Sequence, residues 1–439
     1  MAQDAQPDQK QATFSAPAIS LPKGGGAIRG IGEKLGANPV TGTGSLSIPL
    51  ALSPGRSGFG PQLSLAYDSG SGNGPFGFGW SLGLPAITRK TDKGLPRYLD
   101  AAESDVFVLS GAEDLVPVRS LPPRTVHGIV YIIHQYRPRI EGLFARIERW
   151  VARDGGESHW RSIGRDNVTA LYGFDPDSRL ADPDDPRRVF SWLLCRTFDD
   201  KGNAAAYRYA AEDGRGVDVS KAHEANRTRT AQRYLERILY GNQQPYFPSW
   251  TADGAETPLP ADWHFEAVID YGDHAPDLPL PGPDRAWPVR PDPFSTYRAG
   301  FEVRTYRRCE RILMFHHFSA EPVGRDCVVR STDLRYSDED APADPKNPIH
   351  TFLRSAMQTG WRRKGSGYVR RSLPPLELEY SQPRIQSEVV SLDAESLANL
   401  PEGLDGSRHQ WVDLDGEGLS GILTDMGGGW GYKRNLGPL

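Results

Sequence analysis

The sequence predicts an all-β protein whose short antiparallel strands are joined by tight turns. Apolar and polar residues alternate in many short runs, which gives each strand one buried face. The 439 residues include 47 glycines and 37 prolines, more than a helical protein usually carries and normal for many strands joined by turns. Turn-forming pairs such as Pro54-Gly55 separate the runs. These observations indicate a hairpin-rich β-fold, arranged as a shell or a sandwich.

The first block of strands is expected over about residues 21–120, after a polar tail, residues 1–20, that we predict to be disordered. A glycine-rich stretch follows the alternating run 63–67. It carries three aromatic side chains, Phe76, Phe78 and Trp80. Because glycine lets backbone approach backbone closely, we expect these rings to be plugs between strands. A sugar-stacking platform is the alternative.

Turn chemistry in the middle of the chain indicates hairpins. The segment 200–203, Asp-Lys-Gly-Asn, stands between two alternating runs, and Asn and Gly tolerate the positive φ that hairpin turns need. The segment 232–239 is ambiguous, because Tyr234 and Ile238 also fit the i, i+4 spacing of a helix. The Gly-Asn turn at 241–242 leads us to predict a strand there.

The C-terminal part contains further strands and then a change of pattern. The strands are expected at residues 263–271, 299–318, 326–336 and 376–380. A linker follows, and a new module opens near residue 409 with about one predicted hairpin. The simplest expectation is that the sequence is a fragment of a longer gene product.

Composition argues against several classes of protein. The net charge of −5 gives no reason to expect a nucleic-acid partner or an anionic membrane surface. Basic clusters at 307–311 and 362–364 are expected on solvated strand edges. No apolar run approaches the roughly 18 residues of a membrane span, and residues 1–20 lack the apolar region of a signal peptide. We therefore predict a chain made in the cytoplasm, without a membrane span, and secreted by a non-Sec route.

Cysteine and histidine placement suggests no site. Cys195, Cys309 and Cys327 cannot all pair within the chain, which leaves open one bridge between the last two. His316 and His317 are neighbours in a predicted strand, so their rings point to opposite faces and cannot share a metal. We expect one of the two to be buried and the other exposed.

No set of residues predicts catalysis. The sequence lacks the Gly-x-Ser-x-Gly elbow of a serine hydrolase. The glycine run 24–32 lacks the Gly-Lys-Ser/Thr that would cradle a phosphate, and a loop packed against the sheet explains it better. The sequence therefore predicts a protein that is not an enzyme.

Several unusual strings appear in an order that is similar to a known family. They lie at residues 24–34, 63–82, 103–117, 301–309, 313–318 and 411–418. Together they resemble the N-terminal domain shared by Salmonella plasmid virulence protein B and the B component of insecticidal Tc toxin complexes. The resemblance covers most of the chain from about residue 20.

The resemblance implies a domain organisation. Residues 1–20 are a tail, residues 21–385 form the β domain, and residues 386–439 hold a linker and an incomplete first blade of an FG-GAP-like β-propeller. The hairpin at 200–203 resembles the unit of RHS repeats, which stack into a spiralling sheet. A propeller needs several blades to close.

The resemblance also implies a structural role in toxin delivery. In the family this part begins a hollow shell that encloses a toxic effector, and the partners are an A-type pore component and a C-type RHS and effector component. Two alternatives stay open. One is the delivery half of an actin-ADP-ribosylating toxin whose catalytic domain is missing here, and the other is a Ca²⁺-dependent propeller-type adhesin.

One constellation could bind a metal ion. Asp413, Asp415 and Glu417 stand at alternate positions around a glycine turn, a spacing that wraps oxygen ligands around Ca²⁺. The related propeller loop supplies a further Asp where this chain has Gly421. A structural turn is therefore the favoured alternative, and no other cofactor is expected.

Overall fold

The computed structural model describes residues 32–38, 42–109, 114–142, 144–156, 158–253, 255–320, 324–339, 350–381, 389, 391–398, 400, 406–416 and 419–436. The chain divides into two compact units, the first ending at Ser381. Nearly all regular elements are strands, which confirms the predicted all-β class.

The strands of the first unit are β1 (Lys34–Asn38), β2 (Thr43–Pro49), β3 (Ser64–Asp68), β4 (Asn73–Gly74), β5 (Gly77–Phe78), β6 (Trp80–Leu82), β7 (Ala86–Arg89), β8 (Phe107–Leu109), β9 (Asp114–Val126), β10 (Ile129–Pro138), β11 (Arg146–Ala152), β12 (Ser158–Ile163), β13 (Thr169–Tyr172), β14 (Arg179–Ala181), β15 (Val189–Phe198), β16 (Ala204–Ala211), β17 (Arg233–Asn242), β18 (Trp263–Asp270), β19 (Phe294–Thr296), β20 (Val303–Thr305), β21 (Arg311–Phe318), β22 (Gly324–Tyr336), β23 (Leu353–Lys364), β24 (Gly367–Ser372) and β25 (Leu376–Glu377). The second unit has β26 (His409–Val412), β27 (Gly421–Asp425) and β28 (Trp430–Lys433). Helical turns are short and lie at Arg56–Gly58, Asp100–Ala102, Pro176–Ser178, Ser337–Glu339 and, as an α-helix, Ala394–Leu397.

A ring of antiparallel strands closes within the first unit. Its pairs are β7–β8, β8–β9, β9–β10, β10–β11, β11–β12, β12–β13, β13–β15 and β15–β7. The closing pair joins Ile87 to Trp192, two residues that are far apart in sequence. We did not predict this closed barrel, because alternation shows which face of a strand is buried but not which strand is its neighbour.

Aromatic side chains fill the ring. The Phe107 ring centroid lies 5.0 Å from that of Trp160 and 5.7 Å from that of Trp192, and Tyr136 lies 4.9 Å from Trp160. Both tryptophans are fully buried. The interior is thus a packed core, as expected for a barrel of about eight strands.

The sheet continues from the ring as a long open arm. From β15 it runs through β16, β17, β18, β21 and β22 to β23, which pairs with both β24 and β25. The predicted strand at 232–239 is confirmed as part of β17. The small sheet β1-β2-β3-β6 contributes Ile48, Leu65 and Trp80 to the same apolar core as Ile238 and Met314 of the arm.

The glycine-rich stretch is a plug, as predicted, at Phe76 and Trp80, whereas Phe78 is half-buried and packs on His350 and Phe352. Phe76 and Trp80 are buried, and the indole Nε1 of Trp80 donates to the Tyr380 hydroxyl at 2.7 Å. Gly79 has φ +80°, and a Cβ there would lie 2.5 Å from the Tyr67 ring. Only glycine fits this position.

The outer face of the ring carries a second apolar layer. Residues 243–253, here called the cover segment, cross this face between β17 and β18. Tyr246 packs in a cluster with Cys195 and Phe198, and Trp250 packs against a cluster that contains Trp150. The segment has no regular structure, but Tyr246 is buried against this face and Trp250 is half-buried.

The second unit is a three-stranded antiparallel sheet in the order β26-β27-β28, one strand more than we predicted. Trp411 of β26 is opposite Ile422 of β27, and Asp425 of β27 is opposite Trp430 of β28. Among the described residues, no helix is both long and apolar enough to cross a bilayer.

Candidate functional site

The predicted calcium ligands lie in a turn after β26. Asp413 Oδ1 accepts a hydrogen bond from Gly416 N at 2.8 Å, and Asp415 Oδ2 lies 3.3 Å from Arg434 Nε. Glu417 lies outside the described residues. Both described carboxylates therefore already have partners, one capping the turn and the other in an ion pair.

A different set of metal-type ligands meets at the end of β18. Among the described residues, Asp270, Asp273 and His274 are the cluster whose potential ligand atoms all lie within 4.8 Å of one another, and all three are buried. His274 Nδ1 lies 3.1 Å from Asp273 Oδ1 and 3.5 Å from Asp270 Oδ1, while Nε2 lies 3.3 Å from the Pro281 carbonyl oxygen. The sequence analysis did not single out this cluster.

The cluster already contains its own cations. Arg311 Nε donates to Asp270 Oδ2 at 2.7 Å, and Trp287 Nε1 donates to Asp273 Oδ2 at 2.6 Å. Burial opposes charge on His274, but hydrogen bonds to both aspartates outweigh it and raise the pKa of His274 to about 9. A protonated imidazole can donate from both nitrogens, and each nitrogen here faces acceptors: the two carboxylates at Nδ1 and the Pro281 carbonyl at Nε2. Asp270, Asp273 and His274 therefore fit an internal ion cluster better than a metal centre. This cluster holds the loop that follows β18.

This cluster predicts a pH-dependent contribution to stability. Because the folded pKa of His274 is above its usual 6.5, its contribution is complete below pH 6.5 and is lost as the pH rises through about 9. We expect His274→Gln to lower the free energy of unfolding by about 2 kcal/mol at pH 6 and by much less at pH 10. Urea unfolding at the two pH values measures this difference. An equal loss at both would contradict a protonated His274.

The two adjacent histidines of β21 have separate partners, in agreement with opposite faces. His316 Nε2 lies 2.7 Å from Ser53 Oγ. His317 bridges two carboxylates, with Nδ1 2.8 Å from Asp326 Oδ1 and Nε2 3.0 Å from Glu266 Oε2. The expectation that one ring is buried and the other exposed was wrong, because both are half-buried.

The basic cluster near residue 307 is not a solvated edge, and that prediction was wrong. Arg307 is fully buried, and its Nε donates to Glu212 Oε2 at 3.0 Å. Its Nη1 donates to the Trp287 carbonyl at 3.0 Å, and the Tyr234 hydroxyl donates to the same Glu212 at 3.0 Å. The partners are distant in sequence, so the local pattern gave no signal of burial. By contrast, the cluster at 362–364 lies exposed at the end of β23, as predicted.

The cysteines carry no chemistry in this structure. Cys195, Cys309 and Cys327 are all buried and free, so the bridge left open by the sequence does not form. Burial raises the pKa of Cys195 and of Cys309, which keeps both thiols protonated and unreactive.

A cleft of about 440 Å³ lies beside the predicted hairpin turn at 200–203. Asp199 Oδ1 accepts from Lys201 N at 2.9 Å and from Asn203 N at 2.8 Å, so this carboxylate shapes the turn. Arg56 Nε donates to Asn203 Oδ1 at 2.9 Å and fastens the neighbouring loop to it. The polar groups at the cleft thus hold the fold, and their geometry suggests no reaction.

Several solved structures have a fold similar to that of this chain. The structure of TcdB2-TccC3 is similar with a TM-score of 0.75 and 34% sequence identity, covering 97% of this chain and 20% of that one. A Photorhabdus luminescens Tc holotoxin pore gives a TM-score of 0.76 at 33% identity, over 98% of this chain and 20% of that one. The N-terminal domain of the effector protein SpvB from Salmonella typhimurium gives 0.62 at 35% identity, over 72% of this chain and 99% of that domain.

Comparison of sequences agrees. The chain is 37% identical over 365 residues to the mono(ADP-ribosyl)transferase SpvB of Salmonella choleraesuis, covering 80% of this chain and 58% of that protein. It thus spans little more than half the length of this relative. The family described as Salmonella virulence plasmid 65kDa B protein matches residues 38–318. The chain therefore belongs to the SpvB family.

Proposed function

We propose that this chain is a non-enzymatic structural and delivery component of a bacterial toxin complex. The observation that supports this most is its likeness, over nearly its whole length, to the structure of TcdB2-TccC3. The ring and its arm suit a structural wall, because aromatic side chains fill the ring and buried ion pairs such as Arg307–Glu212 occupy charged groups inside the fold. A closed wall also protects strand edges from aggregation.

The partners proposed are those of a toxin complex. They are an A-type pore component and a C-type component that carries RHS repeats and the effector. We further propose that the hairpins of 21–385 form an RHS-like part of the shell, and that β26–β28 begin a propeller blade within 386–439. The tail predicted at residues 1–20 lies outside the described residues. Action outside the producing cell requires secretion, for which we propose a non-Sec route.

Complex formation tests the proposed role. The chain is co-expressed with a C-type component, and the product is purified and imaged by electron microscopy. We expect one particle with an enclosed cavity. Two separately eluting proteins without such a particle would contradict a role in the shell.

Transferase activity is the main competing function, because the SpvB relatives are named mono(ADP-ribosyl)transferases. The likeness to the SpvB N-terminal domain covers 99% of that domain and accounts for most of this chain. We therefore expect no transfer of label from NAD⁺ to actin by the purified chain, with full-length SpvB as the positive control. Labelled actin would contradict the non-enzymatic proposal.

A measurement of calcium binding distinguishes the proposed shell component from the alternative, a Ca²⁺-dependent adhesin. We propose that the Asp413–Asp415 turn is structural, since Gly416 N and Arg434 already engage its carboxylates. Calorimetric titration is expected to give no saturable heat at millimolar Ca²⁺. Saturable heat that disappears in Asp413→Asn would instead establish a calcium site and favour the adhesin.

A further inference from the structure

His159 is a buried histidine without a polar partner in the part of the chain that the structure describes. It lies on β12 and is 1% exposed, and neither ring nitrogen makes a hydrogen bond. A neutral imidazole always carries one donor and one acceptor, so both are buried at a cost. A charged imidazole in the same place would cost much more.

Aromatic rings enclose this imidazole on the outer face of the ring of strands. Trp150 stacks on it with centroids 5.9 Å apart and an interplanar angle of 20°, while Phe174 and Tyr131 approach edge-on at 4.9 and 5.4 Å. Trp250 of the cover segment lies against Trp150 and Phe174, at 5.9 and 6.1 Å. Trp250 of the cover segment therefore packs on two of the rings that contact His159 and adds an outer layer to them.

The charged groups near this layer are mainly cationic. The arginines are Arg161 on β12, Arg179 on β14, Arg196 on β15 and Arg124, which lies over the Trp150 ring from β9. The carboxylates are already engaged: Glu148 on β11 accepts from Trp150 Nε1, and Asp175 and Glu256 pair with Arg196. Burial, and then repulsion from the arginines, lowers the pKa of His159 to about 3.

The cover segment is held by few main-chain hydrogen bonds. Gln243 N donates to the Asp262 carbonyl at 3.1 Å and Tyr246 N to the Gly202 carbonyl at 3.0 Å. The amides of His127 and Gly128 donate to the Thr251 and Ala252 carbonyls at 3.1 Å each. The strands beneath it are held by longer ladders, with six residue pairs joining β11 to β10, six joining β11 to β12, and four joining β12 to β13. Local opening should therefore detach the cover segment before it separates any strands of the closed ring.

We propose that His159 is an acid-sensitive latch, in which protonation of its imidazole shifts the cover segment from closed to open. When the segment is closed, the imidazole is 1% exposed and has no carboxylate partner among the described residues, so its charged form is poorly solvated and is repelled by the arginines. When the segment is open, water reaches the imidazole and hydrates its charged form. This inference does not depend on the proposed function of the chain.

The sign and size of the effect follow from linkage. The imidazole has its usual pKa of about 6.5 in the open state and about 3 in the closed state. The closed state is therefore most favoured above pH 6.5, and its population decreases as the pH falls below that value. Between pH 7 and pH 5 the opening equilibrium rises about 25-fold.

Hydrogen–deuterium exchange of the whole chain tests the latch. Protection factors, corrected for the intrinsic rate at each pH, are measured for peptides that contain 127–128 and 246. We expect a fall of about 25-fold between pH 7 and pH 5 in the wild type, and no fall in His159→Phe. His223→Phe, which alters an exposed histidine, should behave as the wild type.

Two results would overturn the proposal. One is unchanged protection of the cover segment in the wild type between pH 7 and pH 5. The other is the same pH dependence in His159→Phe as in the wild type. If that variant does not fold, NMR titration of the wild-type ring decides, since an imidazole that is protonated near pH 6.5 while the segment stays protected contradicts a latch.

Discussion

Trp192→Ala is expected to lower the free energy of unfolding of the first unit by about 4 kcal/mol, because it empties the centre of the closed ring. Trp192 is fully buried and packs on Phe107 and Trp160, and its Nε1 donates to the Ser158 carbonyl at 2.9 Å. The backbone of Gly173 lies so close to the indole that a Cβ at this position would be 2.3 Å from the Trp192 ring. Urea unfolding followed by circular dichroism measures the loss.

Trp430→Ala is the matched control for this prediction. Trp430 is 69% exposed and lies in the second unit, so its removal should leave unfolding of the first unit within about 0.5 kcal/mol of the wild type. Similar losses in the two variants would mean that the ring is not a tightly packed core.

Arg307→Ala is expected to cost 3 to 5 kcal/mol, roughly the effect of stranding one partner of a buried ion pair. Glu212 would be left in a site with no exposure, where the Tyr234 hydroxyl and the Gly214 amide, both neutral donors, remain in place of the guanidinium. The variant also loses the hydrogen bonds that Arg307 makes to the Trp287 and Arg215 carbonyls. Thermal and urea unfolding of the whole chain measure the loss.

Two further variants test the cause. Arg362→Ala removes an exposed arginine of β23 and should change stability by no more than about 0.5 kcal/mol. The double variant Arg307→Leu with Glu212→Leu removes both charges, and should be more stable than Arg307→Ala alone. A double variant that is as unstable as the single one would show that packing, rather than the unpaired carboxylate, causes the loss.

Local chemistry predicted much of this structure. The turn at 200–203 forms where Asp, Gly and Asn indicated it, because Asp199 caps the amides of Lys201 and Asn203. The ambiguous segment 232–239 is a strand, since two neighbouring strands supply ladders that helical spacing cannot match. The aromatic plug at Phe76 and Trp80 is also confirmed.

The candidate sites were predicted less well, for a physical reason. Arg307 finds Glu212 across 95 residues, and nothing in the sequence around either residue indicates that partner. Asp270, Asp273 and His274 are close in sequence, but their role depends on Arg311 and Trp287 brought in by other elements. The calcium ligands were chosen by local spacing alone, and they remain a prediction.

The amino-acid sequence by itself determined the all-β class, the main turns and the family, because alternation and turn chemistry act between near neighbours. Only the tertiary structure decided that Ile87 pairs with Trp192 to close a ring, and that Trp250 of the cover segment packs on the aromatic rings around His159. Both features depend on contacts between segments that are distant in sequence. Such contacts form only after a long loop has closed, and the choice of neighbour depends on all the strands rather than on local preference.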